Sequence, residues 1–284
     1  MTKPEPQDAA INDAARSLIE WWADAGVDPV APPPSARARS AAAPERRESR
    51  APGAPEKPSA PRPQRVTAPS PSRAGAPEDD APRDARRLAA SASTIEELKT
   101  AIEGFEGCTL KATAQNTVFA RGSMKSGVMI IGEAPGFDED RQGLPFVGRS
   151  GQLLDRIFAS IGLDREDIYV TNMLFWRPPK NRDPSQSDLA ACMAFVERHI
   201  ALAQPRILVL AGKTSAQAIL NSSEGIMRMR GKWGAYTPAA GDESQAQTIP
   251  ALPIFHPAFL LRKPDFKRQT WRDLLSLQKR LEEG

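Results

Sequence analysis

Apolar residues recur in two alternating rhythms from about residue 87 to the end of the chain. Val128–Ile131, Ile168–Leu174, Ile207–Leu210 and Leu252–Phe255 are short, nearly continuous apolar runs that read as buried strands. Between them, apolar positions fall at helical spacing. Leu153, Leu154, Ile157, Phe158 and Ile161 mark one helix, which Gly162 closes. Ser185–Ala203 is a long helix between Pro184 and Pro205, Thr214–Leu220 a short one, and Phe266–Leu281 a closing one. Strands separated by helices predict an α/β fold, a three-layer α/β/α sandwich around a central, mostly parallel four-stranded sheet. Ligands of such sheets gather beyond the carboxyl ends of the strands, here Gly132, Asn172, Gly212 and His256.

The first 86 residues follow a different pattern. Ile11, Ala15, Leu18, Trp22 and Ala25 stand at spacings of four and three before Gly26, so residues 1–28 read as a short amphipathic helix. Such a helix suits docking on its own domain or recruitment of a protein partner equally well. Fourteen of the 27 prolines lie between Pro29 and Pro82, among Ala, Ser and Arg and almost no large apolar residues. A tract of this kind cannot bury enough surface to offset the entropy of ordering it, so residues 29–86 read as a disordered linker. Residues 87–284 form the globular domain.

Composition adds a few exclusions. A formal charge of +3 permits nucleic-acid binding without arguing for it. The start MTKPEPQDAA has no apolar segment after its charges, and no run approaches the ~20 apolar residues of a membrane span. Two cysteines do not make a disulfide scaffold. The expectation is a cytoplasmic monomer.

Three segments at the strand ends carry candidate chemistry. Gly132–Asp140 (GEAPGFDED) forms a tight turn crowded with carboxylates, and Glu133 directly follows a buried strand. Gly143–Gly151 brings Phe146 back toward the same strand ends. Asn172 places an amide, both donor and acceptor, at a second strand end. Such an amide can read a ligand edge that sets a donor beside an acceptor. Arg177, Lys180, Asn181 and Arg182 follow as a basic loop suited to phosphates. His256 heads HPAFLLR, where Leu260 and Leu261 followed by Arg262 and Lys263 read either as an apolar tip fringed by cations, as a wedge into a duplex requires, or as a helix start with an internal apolar face. The other histidine, His199, lies within a long helix and reads as structural.

Together these residues resemble the family 4 uracil-DNA glycosylases. The segments GEAPGFDEDRQGLPFVGRSGQLLD, YVTNMLFWRPPKNRDP and FHPAFLLR match in order and at family-like spacing, from about Thr94 to Leu281. The resemblance implies a repair enzyme that flips uracil out of single- or double-stranded DNA and hydrolyses its N-glycosidic bond. It implies Glu133, His256 and Glu139 as catalytic residues, the two carboxylates being alternative candidates for orienting water. Ala134, Gly136, Phe146 and Asn172 would hold the base, and Arg177, Lys180, Arg182, Leu260, Leu261 and Arg262 the DNA.

Two departures qualify it. The family's [4Fe–4S] cluster uses four cysteines, at positions that are Phe105, Cys108, Trp176 and Cys192 here. Two thiolates cannot hold such a cluster, so no cofactor is expected, the two aromatic rings filling the vacated volume and both cysteines remaining free thiols. Gly136 stands where other superfamily members carry a bulky aromatic that excludes thymine, which leaves room for bases other than uracil. The alternative function is a catalytically inactive or covalent uracil-DNA-binding protein. The cross-linking relatives carry a basic insertion with a nucleophilic His, and Lys180–Pro184 has neither.

Overall fold

The computed structural model describes residues 80–238 and 248–283. Strands β1 (Ala120–Gly122), β2 (Val128–Gly132), β3 (Tyr169–Asn172), β4 (Ile207–Ala211), β5 (Gly234–Tyr236) and β6 (Ile249–Ile254) form one sheet in the order β1-β3-β2-β4-β6-β5. The four inner strands are parallel and are the four that the apolar runs predict. The sheet has six strands rather than four, because β1 and β5 pair antiparallel at its edges. Each is three residues long, ARG and GAY, too short and too mixed to carry a period.

Alternate residues of one strand serve opposite faces, as the pleat demands. Met129, Ile131, Leu208 and Leu210 join one apolar cluster, whereas Val128, Ile130, Val209 and Ala211 join the other. The first cluster is covered by α1 (Asp80–Ser91), α2 (Ile95–Gly104), α5 (Gln186–Ala203) and α6 (Lys213–Ile219). The second is covered by α4 (Arg149–Ala159), α8 (Pro257–Arg262) and α9 (Lys267–Glu282). Two short helices, α3 (Phe137–Gln142) and α7 (Ile226–Met229), complete the α-helices among the described residues. The result is the three-layer α/β/α sandwich, with β2 and β4 buried along their whole length.

Helix α1 begins at Asp80, so the domain starts before residue 87, inside what the composition assigns to the linker. Its contact residues are mostly Ala81, Ala85, Leu88 and Ala89, small side chains whose close packing an aliphatic count does not register. Arg198 of α5 fixes the end of this segment by donating from Nε and Nη2 to the Ala92 carbonyl at 2.8 and 2.6 Å. The expected N-terminal helix and the linker up to residue 79 lie outside the described residues. Among the described residues no helix is long and apolar enough to cross a membrane.

His199 is structural, as expected. It is buried in α5, stacks on Phe119 with ring centroids 4.5 Å apart, and shares a 2.8 Å hydrogen bond with the Tyr169 hydroxyl.

Candidate functional site

The parallel register sets Gly132 of β2 beside Asn172 of β3, and the chain at the ends of β2, β3 and β6 borders one cavity of about 530 Å³. Glu133, Ala134, Gly136, Glu139, Phe146, Asn172, Arg182, His256 and Arg262 line it. Arg177, Lys180, Leu260 and Leu261 do not.

Asn172 is the most telling residue. It is 1% exposed, and its Oδ1 is a buried acceptor with no hydrogen-bond partner. Such an atom costs about 1–3 kcal/mol unless something fills its need. Gly132 makes its position possible, since a Cβ there would come within 2.4 Å of that Oδ1 and 2.6 Å of the Phe146 ring.

Phe146 is held in a left-handed backbone conformation, φ 53°, that costs a non-glycine residue about 1–3 kcal/mol. Two residues hold it there. Arg121 of β1 donates from Nε to the Pro145 carbonyl at 2.9 Å and is itself anchored by an ion pair with Asp155. Gly151 packs so tightly below that a Cβ would sit 1.8 Å from the Phe146 carbonyl oxygen. The ring then lies 5.6 Å from that of His256, centroid to centroid.

His256 caps α8, and its Nδ1 accepts the Ala258 N–H at 3.1 Å. An accepting Nδ1 places the ring proton on Nε2. Burial, assisted by the Arg262 cation, pulls the imidazole pKa down to about 4, so the ring is a neutral donor at physiological pH. Gly212, at φ +108°, brings its backbone close to the imidazole, since a Cβ there would meet the His256 Cβ at 3.2 Å.

The two glutamates are differently employed. Glu139 is a brace: Oε2 accepts from Gly136 N–H at 3.1 Å, and Oε1 accepts from Val147 and Gly148 N–H at 3.0 and 2.9 Å. It ties the acidic turn to the Phe146 loop. Glu133 instead accepts one hydrogen bond, 2.6 Å from the Thr214 hydroxyl, and borders the cavity. The Gly136 amide is occupied by Glu139, and Ala134 lines the cavity beside it.

One expectation about the DNA surface needs correcting. Leu260 is fully buried in the second apolar cluster and faces no solvent. Leu261 is exposed, because one helical step turns the side chain by ~100°. Arg182 already pairs with the buried Asp188 at 2.8 Å, an anchor for the basic loop. Lys180 and Arg262 are exposed.

The four positions Phe105, Cys108, Trp176 and Cys192 converge in the first apolar cluster. Phe105 meets Phe195 edge-on at 5.1 Å and Trp176 at 6.5 Å, and the indole N–H donates to Thr117 Oγ1 at 3.1 Å. The free thiols of Cys108 and Cys192 hydrogen-bond to each other, which holds Cys108 below its ordinary pKa and, with burial, pushes Cys192 up. Two thiols and two aromatic rings do not fit an iron–sulfur cluster.

Sequence reasoning missed Arg121, Gly151 and Thr214. Gly151 had a signal, as the last glycine of the Gly143–Gly151 segment; Arg121 and Thr214 act on residues far along the chain and had none.

The family model described as the uracil DNA glycosylase superfamily matches residues 119–275. The chain is 36% identical to a type-4 uracil-DNA glycosylase of Archaeoglobus fulgidus over 180 residues, 62% of this chain and 87% of that one. It is 36% identical to one of Pyrobaculum aerophilum over 181 residues, 63% and 91% of the two chains. With one of Thermotoga maritima the identity is 33% over 159 residues, 55% and 77% of the two chains.

Proposed function

The chain belongs to the uracil-DNA glycosylase superfamily, and from that premise we propose that it is a DNA-repair enzyme that hydrolyses the N-glycosidic bond of deoxyuridine. The observation that carries this reading is the unpartnered, buried Oδ1 of Asn172 at the wall of the cavity. Uracil flipped into that space offers N3–H to this acceptor and O4 to the amide NH₂. Cytosine would oppose donor to donor and acceptor to acceptor, leaving buried polar groups unpaired.

The remaining groups fall into place around a base held in this way. Phe146 stacks on the ring. As the C1′–N1 bond breaks, the departing base gains negative charge and the sugar positive charge. The Nε2–H of His256 donates to O2 as that charge builds, a preorganised contribution of about 3–4 kcal/mol. Glu133, steadied by Thr214, orients water toward C1′ and stabilises the sugar cation. Water supplies the hydroxyl to C1′ and the proton to the leaving uracil, so an abasic site remains. Lys180, Arg177 and Arg262 supply charge for the phosphates and Leu261 fills the gap in the duplex.

We further propose that the enzyme works without an iron–sulfur cluster, the Phe105–Trp176–Phe195 packing bracing that part of the fold. A cytoplasmic monomer, with any protein partner recruited by residues 1–28, is part of the same proposal. A glycosylase assay on oligonucleotides carrying uracil, hypoxanthine, xanthine or thymine tests the activity. Uracil release that Asn172→Ala and His256→Ala both abolish is the expected result; undiminished release by both would overturn the site assignment. Stoichiometric iron in the purified protein would overturn the absence of a cluster.

A further inference from the structure

Phe137 is out of keeping with its surroundings. It opens α3 ahead of Asp138, Glu139 and Asp140, is 55% exposed, and belongs to neither apolar cluster. Its chain neighbours Gly136 and Asp138 both line the cavity. From the basic loop, Arg177 sets its guanidinium over the ring, 5.2 Å from the centroid. The Arg177 Nε–H donates to Asn181 Oδ1 at 2.8 Å, and Pro178 and Asn181 line the cavity as well. An aromatic ring is therefore held in solvent at the rim, bracketed in sequence by cavity residues and braced by a cation that is itself tied down.

We propose that Phe137 is a stacking platform for the nucleobase adjoining the flipped uracil, with Arg177 as its positioning residue. The inference rests on the uracil-DNA reading. When one nucleotide leaves the stack, the base beside it loses a stacking partner. A fixed ring at the mouth replaces that partner, and because every base has a π-face it does so without choosing a sequence. The guanidinium adds a cation–π contact on the ring and positive charge near the backbone. The platform matters most where no complementary strand organises the neighbour, so it favours uracil in single strands.

The test uses the full chain and its Phe137→Ala and Phe137→Tyr variants on single-stranded oligonucleotides with one uracil. The base 5′ or 3′ to the uracil is left intact or replaced by a tetrahydrofuran abasic analogue. Phe137→Ala is expected to raise KM about tenfold, with kcat changed by less than about twofold. Phe137→Tyr restores KM, and the unfolding midpoint of every variant stays at that of the wild type. Abasic replacement on one side raises the wild-type KM by a similar factor and leaves that of Phe137→Ala unchanged, because ring and base act as one pair. Additive losses on both sides, or an unaltered KM in Phe137→Ala, overturn the proposal and assign the ring to another contact, such as a protein. If the wild type releases no uracil at all, the activity reading fails by itself. The same cycle, read as Kd by fluorescence anisotropy, then decides the platform separately.

Discussion

Gly132 and Asn172 stand in register on adjacent parallel strands, and a single added methyl on the glycine would reach to 2.4 Å of the asparagine Oδ1. The backbone of one strand thus leaves the space in which the recognition group of the next can sit. Gly132→Ala must move Asn172, Phe146 or both. We expect kcat/KM on uracil-containing DNA to fall at least about a hundredfold, since misplacement by ~1 Å costs that much. The fold should persist, as a near-native circular dichroism spectrum would verify.

His256 gives the reaction an unusual acid limit. With its pKa at about 4, the imidazole keeps its Nε2–H and its neutral state through the range in which an ordinary histidine protonates. The rate profile should show no inflection at the ordinary histidine value of about 6.5 and should fall as pH approaches 4. The sign for stability follows. Below about 6.5 the unfolded chain takes up protons that the folded chain refuses, so unfolding becomes easier as pH drops toward 4. His199, held at about 3 by burial, acts in the same direction. Urea titrations at pH 7 and pH 5 measure the sum.

Glu139→Gln tests the brace. A carboxylate accepting three backbone N–H groups becomes an amide that turns an NH₂ toward one or two of them. A stability loss of about 2 kcal/mol is expected, with reduced activity, because the Phe146 loop loosens. Glu133→Gln should instead leave the unfolding midpoint nearly unchanged while kcat falls.

The adjacent leucines of α8 should separate cleanly. Leu260→Ala empties a core position and should cost about 2–5 kcal/mol of stability. Leu261→Ala should leave stability within about 0.5 kcal/mol of wild type. Its effect appears in the ratio of double- to single-stranded activity, which falls because nothing fills the vacated stack.

Phe105→Ala removes an aromatic ring that touches Phe195 and Trp176, and should cost about 3–5 kcal/mol. Replacing both cysteines by alanine should leave uracil release intact, because the thiols contact each other and not the cavity.

Much of this was legible before any coordinates. The parallel strands announce themselves because a strand covered on both faces must be apolar throughout, and Gly132, Asn172 and His256 follow from where those strands stop. What sequence could not convey depends on contacts that only the folded chain creates. That Glu139 accepts the amides of Val147 and Gly148, and that Arg182 pairs with the buried Asp188, follows from how the loops fold back and not from residue type. Leu260 and Leu261 differ only in helical phase, which a tripeptide of apolar residues does not reveal. Arg121 was invisible because a three-residue edge strand has no period to read.

The two edges of the sheet carry a consequence of another kind. Unpaired main-chain groups along a sheet edge are the template on which one chain adds to the next. Here, among the described residues, each edge is a strand of three residues lying antiparallel to the parallel interior. So short a stretch offers an incoming strand little to register against. Resistance to fibrous self-association, read in solubility at high protein concentration, is therefore set by β1 and β5, the two strands whose apolar pattern is the weakest in the sheet.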